Sequence, residues 1–285
     1  MSHRQIGWLF AAPCLLAAAA ILASLLGVFQ YSFMQFIPGS LDVGGFTLEN
    51  FERIGRPLYF LVIMDTFLIS LLTALFCLVL SYPVAYAIVR TRQEWLRTLL
   101  VILSITPLFT GEIVRTYAWM LVLGTEGFVN SALLALGLIA TPLQFMYTKF
   151  GVIIALVHFS MPVMIILLAT AIGHVNRDYE KAAANLGAPP FTVFWRVTVP
   201  LTMPGIIAGT VVIFAWTMSA FATPQLIGGG KVLMISNLVY LQGFSSFNFP
   251  LAAVLSLVAF AAAVGSLAAI RPLVTRLERR AAQQA

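Results

Sequence analysis

Long apolar runs separated by short polar interruptions make up most of this chain. Six of them, over residues 8–36, 60–89, 97–123, 150–173, 201–222 and 249–270, match the roughly 20 residues with which an α-helix crosses a hydrocarbon core. The apolar positions are continuous rather than alternating with period two, which disfavours a transmembrane β-barrel. The pattern predicts an all-α integral membrane protein of about six transmembrane helices. Pro83 is expected to kink the second of them, and a broken segment is expected after Pro107 in the third. Gly124 to Thr148, between the third and fourth runs, is semi-apolar and reads as a partial helix lying along the bundle.

Composition strengthens this picture. Of 285 residues, 61% are hydrophobic and 9% charged, with mean hydropathy +0.98. No soluble domain of useful size fits between the runs. His3 and Arg4 before an apolar stretch imitate a secretory signal, but the stretch continues from Ile6 towards Phe36, so an uncleaved first helix is expected. Ala12-Pro13-Cys14 superficially resembles a lipoprotein cleavage site; the proline and the long run beyond it argue otherwise. Cys14 and Cys77 both lie within apolar runs and read as buried structural thiols rather than a disulfide or metal site.

The net charge of +6 matters through its distribution. Bases gather at helix ends, which fits membrane topology better than nucleic-acid binding. One side holds Arg4, Arg90, Arg92, Arg97, Arg177, Lys181, Arg196, Arg271, Arg276, Arg279 and Arg280 against Glu94, Asp178, Glu180 and Glu278, a net +7. The remainder is net −1. By the positive-inside rule the first side is cytoplasmic, and both termini belong to it.

The chemistry is concentrated in the interruption between the fourth and fifth runs, Arg177 to Pro200. A short helix rich in helix formers begins at Asp178, with Glu180 in its first turn, and is stopped by Gly187 and Pro189-Pro190. So short a helix is marginal in water and needs something to pack against. Lys181-Ala182-Ala183, Gly187 and Val197-Thr198-Val199-Pro200 fall at the spacing of the EAA loop of ABC-importer permeases, with Lys181 at the motif's Glu position and Glu180 just before it. Together with strings such as Pro200-Leu201-Thr202-Met203-Pro204-Gly205, Pro57-Leu58-Tyr59-Phe60 and Leu226-Ile227-Gly228-Gly229-Gly230-Lys231, the chain resembles the spermidine/putrescine-type permeases over nearly its whole length.

The resemblance implies a type I ABC importer permease fold in the bacterial inner membrane. Residues 1–285 would form a single transmembrane permease domain, with 174–200 its cytoplasmic coupling loop. A coupling helix over Asp178–Leu186 would dock in a cleft of an ATP-hydrolysing subunit, with Tyr179, Glu180, Lys181, Ala182, Ala183, Asn185, Leu186, Gly187 and Pro200 as the coupling residues. The implied partners are a second similar permease, a dimer of ATP-binding subunits, an extracytoplasmic solute-binding protein and membrane lipid. That binding protein would dock on the outer loops 38–59, 124–148 and 223–248. The substrate would be a small polar solute such as spermidine or putrescine; opines, aminophosphonates and ferric iron stay open.

The chain offers no energy source of its own. Gly228-Gly229-Gly230-Lys231 is followed by Val232 and does not form a phosphate loop, and His3, His158 and His174 are too scattered for a metal. No enzymatic activity or resident cofactor is expected; ATP and Mg would sit in the partner ATPase. Asp65, Glu112 and Arg115 are ionisable groups within or at the edge of spans, where such groups are costly and are paired or pore-lining. Glu112 and Arg115, three apart, share a helix face and suggest either a mutual ion pair or an outer vestibule. Tyr117, Trp119, Trp216 and Phe221 are candidate faces for an ammonium, or packing residues. His158 is expected to be packed and hydrogen-bonded rather than a proton relay. The rival function is a stand-alone ion-coupled secondary transporter or channel, which would have no use for the 177–200 motif.

Overall fold

A computed structural model describes the backbone of residues 3–284, with side chains over 12–266 and at Ala268. The side chains of Arg4, Arg271, Arg276, Arg279 and Arg280, which contribute to the charge asymmetry, lie outside the described residues. The helices are α1 (His3–Ser32), α2 (Glu49–Ile54), α3 (Pro57–Arg90), α4 (Glu94–Ile105), α5 (Glu112–Leu123), α6 (Phe128–Ala135), α7 (Lys149–Gly173), α8 (Arg177–Asn185), α9 (Pro190–Val193), α10 (Val199–Met218), α11 (Ala222–Ile227), α12 (Ile235–Tyr240) and α13 (Phe249–Gln284). Six described segments are long and apolar enough to cross a membrane: Ala12–Ser32, Pro57–Arg90, Glu112–Ala135, Lys149–Gly173, Pro190–Met218 and Phe249–Ser266.

The third span breaks near Pro107, as expected, but is completed differently from the expected 97–123. Residues 97–123 do not form one helix: α4 ends at Ile105, a 3₁₀ turn covers Thr106–Phe109, and α5 begins at Glu112. Pro107 removes a donor and Gly111 adopts an extended conformation as N-cap, so the helix cannot run through. The membrane-length stretch is instead α5 with α6, joined across Gly124 to Gly127. The partial helix expected within 124–148 is α6.

The described chain divides into two compact units. One comprises the residues up to Val62 with Ile235–Ala261. Here α1 leads into a two-stranded antiparallel hairpin, β1 (Met34–Phe36) with β2 (Val43–Phe46), which the apolar pattern does not disclose. Buried Asn50 donates to the carbonyls of Ser32 and Met34 and so ties α2 to the end of α1. Phe33 stacks on Phe46 and meets Phe51 at a tilt. Cys14 is exposed on α1, against the expectation of burial, because no other described element of this chain covers that part of the helix.

The other unit, Ile63–Met234 with the residues from Ala262 onward, holds the hydrophobic core. Its centre is α7, capped at its start by the Thr148 hydroxyl, which accepts from the Gly151 amide. Met164, Leu168 and Ile172 are fully buried, as are Ile69 and Cys77 of α3 and Ile213 of α10. Small residues let α7 and α10 approach closely: Gly205 lies against Ala171, and Gly209 against Met164. Large apolar side chains remain exposed around the rim, among them Phe76, Val79, Ile113, Leu121 and Val212. Exposed apolar surface on this scale suits lipid or protein contact rather than water.

Candidate coupling site and transport pathway

The polar loop folds as its signals predict. Asn176 caps α8 by accepting from the Asp178 amide. At the other end Gly187 takes a left-handed φ of 85°. Its amide donates to Ala184 O and the Ala188 amide to Ala183 O, the paired bonds of a Schellman ending. The helix therefore spans Arg177–Asn185, one residue earlier than expected at each end. On its open side Tyr179, Lys181, Ala182, Asn185 and Leu186 are exposed, Leu186 by 90%, while Ala183 is partly covered. Gly187 and Pro200 are exposed as well. Phe191 and Trp195, which the motif does not include, extend this apolar surface. Large apolar side chains within a polar loop were the signal that marks them.

Lys181 pairs with Asp178 at 2.9 Å, with both side chains open to solvent. The lysine ammonium, by hydrogen bond and charge, holds the Asp178 carboxyl below its ordinary range. Glu180 points the other way. Its Oε1 accepts from Arg90 Nε at 3.2 Å, Arg90 Nη2 at 2.9 Å and the Thr198 hydroxyl at 2.9 Å. Both ionic side chains are largely buried, 11% exposed for Arg90 and 14% for Glu180. Arg90 Nη2 also reaches the Val175 carbonyl, and Arg177 donates to the carbonyl of Val89, an orphan acceptor at the end of α3.

Beside this cluster the ring of Phe194 lies edge-on between Tyr82 and Tyr86 of α3. The Tyr82 hydroxyl bonds that of Thr202 at 2.8 Å. Between α9 and α10 the backbone forms one π-helical turn, Phe194–Thr198, which carries both Phe194 and Thr198. π-Helical turns of this kind are frequent at functional sites.

The expected pathway residues separate into groups. Asp65 is joined to Lys149, the first residue of α7, at 2.6 Å, with the carboxylate 30% and the ammonium 49% exposed. Glu112 and Arg115 do not pair. Glu112 is exposed at the start of α5, where the helix dipole favours it. Arg115 instead lays its guanidinium over the Phe159 ring, 4.0 Å from the centroid, and its buried Nε and Nη1 have no hydrogen-bond partner. Phe159 meets Trp216 edge-on at 6.1 Å. Trp119 Nε1 donates to His158 Nδ1 at 3.1 Å, which gives His158 the packed, bonded character expected of it. The structure thus brings Arg115 and Trp216 together through Phe159 and sets Trp119 beside His158. Tyr117 is exposed, Phe221 is half-buried ahead of α11, and Asp65 belongs to its own pair. Phe159 and Lys149 were missed: a phenylalanine in an apolar helix carries no signal of its own, and a lysine at the start of a span shows no partner in sequence.

Residues 77–283 match the family described as binding-protein-dependent transport system inner membrane component. The chain belongs to that family. The spermidine/putrescine transport system permease protein PotB of Escherichia coli is 35% identical over 252 residues, covering 88% of each protein. Its Haemophilus influenzae counterpart is 34% identical over 211 residues, 74% of this chain and 73% of that one. Among solved structures, a bacterial alginate ABC transporter in complex with an alginate-bound periplasmic protein superposes with TM-score 0.76 at 19% identity, over 95% of this chain and 96% of its own. The MetNI methionine ABC transporter gives 0.60 at 14% identity, over 78% and 99%. The fold is that of a type I importer permease. The chain is a multi-pass inner-membrane transport subunit of an ABC importer, not an enzyme, and ATP hydrolysis resides in a separate subunit. Membership of this family displaces the stand-alone secondary transporter.

Proposed function

We infer that this permease passes a polyamine-like solute, spermidine or putrescine in class, from an extracytoplasmic binding protein into the cytoplasm. The observation that carries the substrate class is the 35% identity to PotB across 88% of the chain. The rest of the assembly is a second, similar permease and two ATP-binding subunits, which hold ATP and Mg. The termini and α8 lie on the cytoplasmic side, as the excess of Lys and Arg there supports. The exposed side of α8, with Tyr179, Ala182 and Leu186, docks on the ATPase, and closure of the ATPase dimer drives α7 and α10 between inward-open and outward-open arrangements.

The test is purification of the tagged chain from solubilised membranes and an ATPase assay of what accompanies it. Recovery of a second permease and an ATPase stimulated by a soluble binding protein supports the assembly; a chain that purifies alone and transports on an ion gradient overturns it. Screening that binding protein for ligands tests the substrate. One observation favours a second substrate reading: Arg115, whose buried Nε and Nη1 have no hydrogen-bond partner, suits a solute that carries a carboxylate or phosphonate, such as an opine or aminophosphonate. Binding of those and not of polyamines decides for it.

A further inference from the structure

α8 is joined by chain to two membrane helices, α7 on one side and α10 on the other, and has no covalent link to α3. A different connection reaches α3. The last residue of that helix, Arg90, places two donors on Glu180 of α8, and the same carboxylate oxygen takes the Thr198 hydroxyl from the turn that leads into α10. One buried oxygen therefore gathers three elements. Arg90 also donates to the Val175 carbonyl in the link between α7 and α8, which ties that link to α3 as well. Breaking either charged contact leaves a largely buried partner unpaired, which favours movement of the cluster as one piece.

We propose that the Arg90–Glu180–Thr198 cluster is a force-transmitting clamp that makes α3 a third helix driven directly by the ATPase. The inference rests on α8 being the coupling helix. In the family's motif the acidic residue stands one position later; here that place is occupied by solvent-exposed Lys181, and the carboxylate is turned inward onto α3. Glu180 is thus a positioning residue committed within its own chain, not a contact for the ATPase. The lever is long: Arg90 and Asp65 are 25 residues apart on one helix, about 38 Å at 1.5 Å per residue. A small displacement of α8 at the Arg90 end changes the tilt of α3 and reaches the Asp65–Lys149 pair near its other end.

The experiment uses the assembled importer in proteoliposomes with its binding protein and reads solute imported per ATP hydrolysed. Arg90→Met and Glu180→Gln are expected to leave assembly and stimulated hydrolysis in place while import per ATP falls about tenfold. The exchange Arg90→Glu with Glu180→Arg is expected to recover about half of it, as a coupled pair requires. Thr198→Val, which removes one hydroxyl at nearly constant volume, is expected to give a smaller fall and keeps the test readable if a charge variant is lost from the membrane. A purely structural role would reduce protein level, hydrolysis and import together and leave their ratio unchanged. Wild-type import per ATP in Glu180→Gln and Thr198→Val overturns the clamp. Failure of the ATPase to accompany the wild-type chain overturns instead the assignment of α8, and is recognised before any variant is made.

Discussion

Glu180 and Lys181 are adjacent in sequence but about 100° apart around α8, and that rotation sends one inward and the other into solvent. The spacing of the motif was legible from Lys181-Ala182-Ala183 and Gly187; the inward turn of Glu180 was not, because Arg90 is 90 residues away and Thr198 is 18. Arg115 teaches the same lesson. Its nearness to Glu112 in sequence suggested either an ion pair or an outer vestibule; the ion pair does not form, and the side chain lies on Phe159 of α7. A desolvated cation–π contact is worth about 2 kcal/mol, and no hydrogen bond from the buried Nε or Nη1 would be lost with it. Arg115→Gln is therefore expected to cost no more than about 2 kcal/mol in thermal unfolding. If Arg115 faces the solute, as the second substrate reading requires, the same change should raise uptake of dicationic over carboxylate-bearing solutes in competition assays, because it removes a positive charge.

At the level of elements, the end of α8 was readable to within a residue because Gly187 and the prolines are local signals, whereas the Asn176 cap that starts the helix at Arg177 was not singled out. The break between α4 and α5 was half readable: Pro107 announced it, but α6 as the completion of the span required knowing where Gly124 and Gly127 turn the chain. The hairpin of β1 and β2 gave no signal within mixed polar sequence. Gly187 has open space around an added Cβ but a left-handed backbone, so Gly187→Ala should cost about 1–2 kcal/mol of local stability. Gly187→Val should cost more, since β-branching opposes that conformation. Both substitutions, like Ala183→Asp on the docking side, are expected to insert normally and to separate ATP hydrolysis from uptake; normal coupled transport by Gly187→Val and Ala183→Asp would refute the role given to α8. A contrasting pair tests the α7–α10 seam. Gly205→Ala drives a methyl into Ala171, whose own Cβ has nowhere to go, whereas Gly209→Ala meets the flexible end of Met164. Overpacking of this kind costs about 1–3 kcal/mol, so detergent-solubilised Gly205→Ala should melt clearly below wild type, and Gly209→Ala close to it.

For the molecule as a whole, membrane character, six spans and family followed from pattern and motif, since continuous apolar runs near bilayer length admit few other structures. The contacts that distinguish this permease did not follow, because Asp65–Lys149, Trp119–His158 and Arg90–Glu180 join positions 84, 39 and 90 residues apart. Cys14 was misjudged at this scale too: an apolar run says that a residue leaves water, not that its own chain covers it. The exposure of Cys14 on α1, with Cys77 enclosed in α3, supplies an internal reporter in a chain that has only two cysteines. A membrane-permeant maleimide should modify the isolated subunit once, at Cys14. Within a complete transporter, protection of that thiol would show that another subunit lies along α1, and undiminished labelling would show that lipid does.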